Sequence, residues 1–394
     1  MMVSKKGVAM EKVYLSRCRS YSLEEVRAAI RSILDRMDFK LPHNKTVFLK
    51  PNIMTQNRPG QHTVTHFSLV AVLCELLSAN GCRVQIGDSI AFYQTGLTRK
   101  AFQTTGMQDV ARRYGAELIA LDEDKLVSIP SGYAPWAELF IPRSILDADL
   151  VFNIPKLKTH SGLRFSGAIK NMFGVLPGGY KQKIHMWTAN DFELSDVFLD
   201  LERILRPALH LMDGVYGLDG GPTAFGKPAA MGYIIASRNA AALDTAACRM
   251  IGYQPEDIPA LARALDHKLI SDFENIEVHL PDTIERVRDI RPVKLFKHLK
   301  KGPVPLCVQK KGAFILHTPV VPIIKTERCS RCWECLDFCT PGAVSLGDDS
   351  YPGIDSKRCI QCYTCLAACR AGAFRIKSSL INKLIRAIRC VIRV

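Results

Sequence analysis

The sequence of 394 residues contains no long apolar run, and its first residues do not predict a secretory leader. A helix that spans a membrane needs about 18 consecutive apolar residues. The nearest segment, 313–324, is shorter and is interrupted by a histidine and two prolines. Two lysines near the N-terminus are not followed by the apolar stretch of a signal peptide. We therefore expect a cytoplasmic protein, in which thiols stay reduced and clustered cysteines serve metal or redox chemistry rather than disulfides.

Nucleotide-binding fingerprints are absent as well. The chain has neither a Walker A sequence nor the Gly-x-Gly-x-x-Gly pattern of dinucleotide-binding domains. A standard nucleotide cofactor is therefore not supported, although a flavin remains open. Apolar residues, in contrast, are plentiful: hydrophobic residues make up 47% of the chain and charged residues 23%. This composition excludes disorder over the whole chain and predicts a large folded core.

Positive charge and cysteine are concentrated in the C-terminal third. The net charge is +15, and residues 281–394 hold 21 basic and 9 acidic residues, against 32 and 29 in residues 1–280. Eight of the 14 cysteines lie between Cys329 and Cys369. We divide the chain into an α/β domain (1–280), a basic connector that contains prolines (281–325), a cysteine-rich domain (326–377) and a basic amphipathic helix (378–394).

The first domain alternates short apolar runs with amphipathic segments, which is typical of an α/β domain with a mostly parallel sheet and flanking helices. We predict strands at 46–49, 83–87, 118–121, 149–154, 209–212 and 233–236. We predict helices at 22–36, 65–80, 191–205, 240–251 and 258–269. Ser22 with Glu25 has the spacing of a capping box at the first helix, and Gly81 follows the second helix as a C-cap.

The cysteine-rich domain contains one spacing twice, Cys-x2-Cys-x2-Cys-x3-Cys. Three closely spaced thiolates can bind one face of a [4Fe–4S] cluster, while the fourth cysteine of each run ligates the other cluster. One predicted ligand set is therefore Cys329, Cys332, Cys335 and Cys369, and the other is Cys359, Cys362, Cys365 and Cys339. Zinc is the alternative, but zinc sites favour paired Cys-x2-Cys knuckles. The pattern resembles the bacterial two-cluster ferredoxin, except that no proline follows the fourth cysteine directly.

Polar residues follow several predicted strands of the large domain. The carboxyl ends of parallel strands meet at one edge of an open sheet, where ligands bind. A glycine-rich segment with lysines, 166–181, comes after one of these strands, and glycines let backbone N–H groups approach an anion. We therefore predict a binding site for an anionic small molecule at this edge. Its predicted binding residues are Lys50, Asn52, Asp88, Lys156, Lys158, Asn171 and Asp213, and Lys181 is expected to belong to the site as well. The candidate catalytic residues are His160, His185 and Lys170. Solvated lysines and simple turns are the alternative explanation of these residues.

These segments resemble a family described as domain of unknown function 362. The matching stretches are Lys-Pro-Asn at 50–52, Gly-Asp-Ser at 87–89, Pro-Lys-Leu-Lys-Thr-His at 155–160, Gly-Ala-Ile-Lys-Asn-Met-Phe-Gly at 167–174, Asp-Gly at 213–214 and Ala-Leu-Asp at 242–244. Members often carry a two-cluster ferredoxin segment behind this domain. The resemblance implies architecture more than substrate, and it marks Asp213 and Asp244 only as motif positions.

The C-terminal segment 378–394 has apolar residues at helical spacing and basic residues between them. Such a helix can lie on an anionic membrane surface, or it can dock on its own protein with its charges in solvent. The sequence does not separate the two. The protein is therefore expected in the cytoplasm or peripherally at the inner membrane surface.

Our first functional hypothesis is an iron–sulfur oxidoreductase, which passes electrons through two [4Fe–4S] clusters to an anionic substrate or cofactor in the large domain. The second is a non-catalytic electron-transfer subunit that docks on a larger redox complex. Both require a redox partner protein as electron donor or acceptor. A role in assembly, with transient clusters, is a third. No nucleic-acid partner is expected, because the sequence has no interleaved aromatic and basic motif.

Overall fold

The computed structural model describes residues 10–54, 56–90, 96–160, 163–220, 226–289 and 321–376. Most of the predicted connector and the whole predicted amphipathic helix, 378–394, lie outside these ranges. Among the described residues, no helix combines the length and the apolar character needed to cross a membrane.

The large domain is built on a mostly parallel sheet of 11 strands. Nine of them follow one path in the order β13-β12-β1-β11-β10-β7-β2-β3-β4, and β8 and β9 extend from β10. The strands β10-β7-β2-β3-β4 are all parallel, whereas β11 is antiparallel to both of its neighbours. The bounds are β1 Glu11–Arg17, β2 Thr46–Pro51, β3 Arg83–Asp88, β4 Glu117–Ala120, β7 Leu150–Ile154, β8 Lys156–His160, β9 Arg164–Ser166, β10 Leu209–Asp219, β11 Lys227–Ser237, β12 Ile276–His279 and β13 Ile284–Arg286. A separate hairpin is formed by β5 Leu126–Pro130 and β6 Glu138–Pro142.

Helices cover both faces of this sheet. Those of the large domain are α1 Leu23–Arg36, α2 Phe67–Ala79, α3 Leu97–Thr104, α4 Met107–Tyr114, α5 Arg143–Leu146, α6 Ala168–Asn171, α7 Gly178–Trp187, α8 Asp191–Leu205, α9 Ala240–Ile251 and α10 Pro259–Asp266. One buried core joins the sheet to α1, α2 and α4, and a second joins the opposite face to α8, α9 and α10. The predicted α/β class is confirmed, and each predicted strand and helix is present. Most bounds agree within a few residues, but β10 extends 7 residues beyond its predicted end at 212, and β11 begins 6 residues before its predicted start at 233.

Local signals fixed several of these boundaries. The side chain of Ser22 accepts a hydrogen bond from the Glu25 N–H at the start of α1. Gly81 has φ of +70°, a left-handed conformation in which an added Cβ would be strained. The first strand, β1, was not predicted, because its charged ends obscure a short buried centre.

The cysteine-rich domain consists of two similar halves. Its helices are α11 Glu334–Asp337 and α12 Thr364–Ala368, and its strands are β14 Pro322–Ile324, β15 Val344–Leu346, β16 Pro352–Ile354 and β17 Phe374–Ile376. Strand β14 pairs with β17, and β15 pairs with β16. Left-handed backbone conformations recur at equivalent positions of the two halves: Trp333 (φ 57°) corresponds to Tyr363 (φ 64°), and Arg331 (φ 56°) to Gln361 (φ 58°). The sequence repeat is therefore also a repeat of backbone structure.

Candidate functional site

Two of the predicted site lysines form buried ion pairs. The Nζ atom of Lys50, at the end of β2, lies 2.8 Å from Oδ1 of Asp88, at the end of the adjacent β3. The Nζ atom of Lys156 lies 2.9 Å from Oδ2 of Asp213, its register partner on β10. All four side chains are almost completely buried. Burial lowers the pKa of both lysines, and the paired aspartates oppose that shift.

Tyr21 completes the second ion pair, and its role was not predicted. Its hydroxyl donates to Oδ1 of Asp213 (2.9 Å) and accepts from Nζ of Lys156 (2.8 Å). The ring of Tyr21 stacks on that of His66, with 3.7 Å between the ring centroids. The His66 N–H also donates to Asp213 (2.9 Å). Asp213 is thus held by partners from three separate segments, which nothing in the local sequence around Tyr21 indicates.

Lys158 lies next to an asparagine cluster rather than a carboxylate. Its Nζ donates to Oδ1 of Asn52 (2.7 Å) and approaches the Thr63 carbonyl oxygen at 3.3 Å. The Asn52 amide in turn donates to Oδ1 of Asn171 (2.9 Å). An ammonium group has three protons. Lys158 therefore retains donor capacity that neither Asn52 nor Thr63 uses.

Lys181, on α7, points to the same edge of the sheet. Its Nζ donates to the carbonyl oxygen (2.9 Å) and the hydroxyl (2.7 Å) of Ser89, just beyond β3. Gly174 lies beside this contact, and an added Cβ there would come 2.5 Å from Oδ1 of Asp88 and 2.7 Å from Nζ of Lys50. The glycine in this motif is therefore required by close packing against the buried ion pair.

Lys170 differs from these lysines, because among the described residues it has no hydrogen-bond or ion-pair partner. It lies on the single turn α6 and remains partly exposed. The turn is fixed from below by Asp244, whose carboxylate accepts from the backbone N–H groups of Ala168 (2.6 Å) and Ile169 (3.0 Å). Gly167 allows this approach, because a Cβ at that position would collide with the Asp244 carboxylate.

The two candidate catalytic histidines both lie within the electrostatic influence of Lys170. His160 follows Lys158 on the same face of β8, since alternate residues of a strand share a face. Its Nδ1 accepts from the Leu163 N–H (3.1 Å), so the neutral ring carries its proton on Nε2. His185, on α7, keeps solvent access, and its ring lies edge-on to Phe173 with 5.4 Å between the centroids.

Burial is the largest influence on the pKa values of these lysines and histidines. Burial, opposed by Asp88 and reinforced by neighbouring lysines, lowers the pKa of Lys158 and of Lys181 to about 7. Burial lowers the pKa of Lys170 to about 8. Desolvation of the ring and the charges of Lys170 and Lys181 lower the pKa of His185, although part of this residue reaches solvent. The pKa of His160 is lowered well below its ordinary value for similar reasons. Such a site gains most from a ligand that brings negative charge.

We call Lys158, Lys170, Lys181, His160 and His185 the basic cluster. The structure brings all the predicted site residues of the large domain to one edge of the sheet. The side chains of Lys50, Asp88, Lys156 and Asp213 are already paired with one another, so the charge available to an anion comes from the basic cluster. Roles for the individual residues remain predictions.

The cysteines of the second run line one recess of the cysteine-rich domain. Cys339 joins Cys359, Cys362 and Cys365 around it, and its floor includes Pro322, Ile354 and Ile360. The backbone N–H groups of Ala343 and Val344 point at Sγ of Cys339 (3.2 and 3.3 Å), and that of Ala373 points at Sγ of Cys369 (3.3 Å). Among the described residues, no group of three or more His, Cys, Asp or Glu side chains is arranged to hold a metal ion. An iron–sulfur interpretation therefore rests on the cysteine spacing and on this recess.

Helix α7 contacts the cysteine-rich domain directly. The Nζ atom of Lys183 donates to the carbonyl oxygen of Cys359. Gly179 lies against the backbone carbonyl of Gln361 and the ring of Tyr363, so closely that a Cβ would collide with both. Ile360 and Cys362 belong to the same buried core as α8 and α9. The helix that carries Lys181 and His185 therefore also packs against the second cysteine run.

A family model matches much of the large domain. The model of the family described as Domain of unknown function (DUF362) matches residues 47–249. The chain belongs to the DUF362 family. The matched region contains the two ion pairs and the whole basic cluster, whereas the cysteine-rich domain lies beyond it.

Two further proteins are similar to this DUF362 chain. A thylakoid-associated protein of Synechocystis sp. is 30% identical over 262 residues, which is 64% of this chain and 78% of that protein. The apoprotein of lactate racemase from Thermoanaerobacterium thermosaccharolyticum is 14% identical, with a TM-score of 0.39. That match covers 61% of this chain and 57% of the racemase.

Proposed function

We propose that this DUF362 protein is an iron–sulfur oxidoreductase that delivers electrons to an anionic ligand bound at the basic cluster. One observation carries the proposal: α7 contributes Lys181 and His185 to the basic cluster and packs, through Gly179 and Lys183, on the loop of Cys359–Cys365. An electron carrier bound by that loop would be separated from the ligand by helix α7 alone.

The recess fits a cluster in its donor set. Four thiols from two separate runs line it together with apolar side chains, and two backbone N–H groups point at Sγ of Cys339, as hydrogen bonds to sulfur do around iron–sulfur clusters. Cys359, Cys362, Cys365 and Cys339 would hold one cluster, and Cys329, Cys332, Cys335 and Cys369 the other. When bound, such clusters supply one electron at a time.

The basic cluster would bind the ligand and donate protons to it. Lys158 and Lys181 are anchored by neutral acceptors, so their ammonium protons can orient a carboxylate or phosphate without first breaking an ion pair. The pKa values of Lys158, Lys170 and Lys181 lie near neutrality, which suits a group that donates a proton during turnover. His160, with a proton on Nε2, is a further candidate donor.

The burial of the two cysteine runs supports a direction for the electrons. Cys359, Cys362 and Cys365 of the second run are all buried, and Cys362 belongs to the core that also contains α8 and α9. In the first run Cys335 is buried, but Cys332 is exposed and the neighbouring Trp333 is 46% exposed. In this proposal the first run receives electrons from a redox partner protein, and the second run passes them toward α7.

A decisive experiment uses the full chain purified without oxygen. Iron and sulfide are counted, the protein is reduced with dithionite, and its reoxidation by pools of small anionic metabolites is followed by visible absorbance and electron paramagnetic resonance. Lys170→Met and His160→Ala should slow reoxidation at least about tenfold, which corresponds to about 1.4 kcal/mol, while exposed Lys100→Met should not. Protein without iron, or reoxidation equal in all variants, contradicts the proposal.

The alternative is a non-catalytic electron-transfer subunit. The exposed surface at Cys332 and Trp333 favours it, since a docking partner could both donate and receive electrons there. In that case the clusters would be reducible and the protein would co-purify with a larger redox complex, but no small anion would reoxidise it.

We also propose a peripheral membrane association through residues 378–394. The similarity to a thylakoid-associated protein and the basic, apolar pattern of this segment support it. Flotation with anionic liposomes should carry the full chain but not a chain that ends at Lys377. Equal flotation of the two would overturn this part of the proposal.

A further inference from the structure

A line of buried polar groups leads from the basic cluster through the sheet to helix α8. It begins at Lys158, whose Nζ donates to Oδ1 of Asn52 (2.7 Å). The Asn52 amide donates to Oδ1 of Asn171 (2.9 Å), and the Asn171 amide donates to Oδ1 of Asn153 (2.7 Å). Asn153 lies in the middle of the sheet, on β7, and is completely buried. Each amide in this line therefore accepts on the side of Lys158 and donates on the other side.

The line ends at a histidine and a carboxylate. The Asn153 amide nitrogen lies 3.1 Å from Nδ1 of His210. Because that nitrogen is a donor, Nδ1 accepts and the ring proton lies on Nε2. Nε2 is 3.1 Å from Oε1 of Glu202. This last contact is electrostatic rather than a well-aligned hydrogen bond, and Nε2 of His210 and Oε2 of Glu202 have no hydrogen-bond partner among the described residues.

The direction of the line is fixed independently of its ends. Asn171 also donates to the carbonyl oxygen of Lys50 (3.1 Å), and Asn153 also donates to that of Ala168 (2.9 Å). A backbone carbonyl cannot donate, so neither amide can be turned around without losing a bond in a buried place. Aligned hydrogen bonds polarise one another in a low-dielectric interior. The amide oxygens face the Lys158 ammonium and the amide N–H groups face the Glu202 carboxylate. The amide dipoles are therefore oriented favourably toward both charges.

We propose that Glu202 is a positioning residue for the anion site: through His210, Asn153, Asn171 and Asn52 it holds the Lys158 ammonium charged and facing the ligand. The role of Lys158 in binding an anion rests on the proposed function. The effect of Glu202 on the charge state of Lys158 does not depend on it. Glu202 touches no part of the basic cluster and would act only through the line of amides.

The charged groups around both ends must be considered together. Lys158 is faced by other titratable groups of the site, namely Lys50, Asp88, Lys156, His160 and Lys170. His210 is faced by Glu202 and by Asp244. None of these groups except Glu202 changes in a Glu202→Gln variant, which keeps the shape of the side chain and removes its charge.

The test measures the pKa of the Lys158 amine directly, in the full chain without added ligand. Lysine labelled with 13C at Cε gives one correlation signal per lysine, and the signal missing from Lys158→Arg identifies Lys158. Glu202→Gln should lower this pKa by several tenths of a unit, because the ammonium loses its distant negative partner. Glu193→Gln, a carboxylate on the same helix outside the line, should leave it unchanged. Glu202→Asp, which keeps the charge, should leave the pKa of Lys158 close to its wild-type value.

A double-variant cycle separates the line of amides from action through space. With Asn153→Leu the line is broken, and adding Glu202→Gln should then shift the Lys158 pKa no further. Asn153→Ser serves the same purpose if the leucine variant does not fold. No shift in Glu202→Gln, or an equal shift with and without Asn153, overturns the inference. Because no anion and no electron transfer are involved, this result is independent of the test of the proposed function.

Discussion

Gly179 and Gln361 belong to different domains, yet the carbonyl oxygen of Gln361 occupies the space in which any other residue at position 179 would place its Cβ. The contact allows α7 to lie directly on the second cysteine run. It joins the two parts of the molecule that the proposed function requires to be adjacent, and it makes the domain contact sensitive to a single methyl group.

The first prediction concerns this contact. Gly179→Ala should destabilise the packing of the cysteine-rich domain on α7 by about 1–3 kcal/mol, the usual cost of overpacking a tight interface. Limited proteolysis should then release the cysteine-rich domain faster. Gly60→Ala is the matched control, because an added Cβ there meets nothing within 4 Å. Equal proteolysis of the two variants would show that the contact does not hold the domains together.

A second prediction concerns the buried pair of Lys50 and Asp88. Asp88→Asn removes the charge that compensates a fully buried ammonium, so the free energy of unfolding should fall by about 3–5 kcal/mol. The exposed pair of Arg83 and Glu117 offers a comparison, and Glu117→Gln should cost less than about 1 kcal/mol. Urea unfolding followed by circular dichroism measures both. A loss at Asp88 no larger than that at Glu117 would refute the assignment of Lys50 as a buried cation.

The third prediction is a pH dependence of stability. Lys158, Lys170 and Lys181 have folded pKa values of about 7 to 8, below the ordinary lysine value near 10.4 in an unfolded chain. Between these values the unfolded chain binds more protons than the folded one, so the free energy of unfolding should rise with pH from about 7 to about 10. Urea titrations at several pH values should show this rise, and Lys170→Met should reduce it. Stability that is flat or falls over this range would be inconsistent with the shifted lysines.

The fourth prediction is that a bound anion raises the lowered pKa values of these lysines. Inorganic phosphate favours the charged lysines, so its binding takes up protons near pH 8 and its affinity falls as the pH rises through about 7 to 8. Calorimetry in two buffers of different ionisation enthalpy measures the proton uptake. We expect Lys170→Met to weaken phosphate at least about tenfold, or about 1.4 kcal/mol, with Lys100→Met as the control. Binding that is independent of pH would argue against the basic cluster as the anion site.

The final prediction tests the cysteine assignment. Cys365→Ser should remove close to half of the iron from anaerobically prepared protein, because only one of the two proposed clusters loses a ligand. Cys248→Ser, at a buried cysteine of the large domain that lies outside both runs, should leave the iron content unchanged. Zinc instead of iron in the wild-type chain, without sulfide, would refute the iron–sulfur interpretation.

The class of the large domain and most of its elements could be predicted, because strands such as β2, β3 and β7 are short apolar runs between clear turn signals. The clustering of polar residues at the sheet edge followed from the same parallel arrangement. The hydrogen-bond partners of the second ion pair could not be predicted: Tyr21 and Asp213 are separated by 192 residues, and only the folded sheet brings them together.

Asn153 and His210 were missed for a related reason. Each lies inside an apolar strand, where a polar residue predicts neither an exposed site nor a ligand. Their importance depends on a hydrogen-bond direction that requires the neighbouring side chains to be known. Lys170 was predicted as a site residue, but its surroundings were missed for a similar reason. It has no hydrogen-bond or ion-pair partner within the part of the chain that the structure describes, whereas a lysine in a glycine-rich segment is ordinarily solvated.

The contact of α7 with the second cysteine run has a consequence for synthesis. The α/β domain, through α10, leaves the ribosome before the loop of Cys359–Cys365 is made, and domains made first generally begin to fold first. Until that loop is made, Gly179 and Lys183 have no cysteine-rich surface to contact. A newly made chain must therefore leave this side of α7, the helix that carries Lys181 and His185, uncovered until translation has passed the second cysteine run.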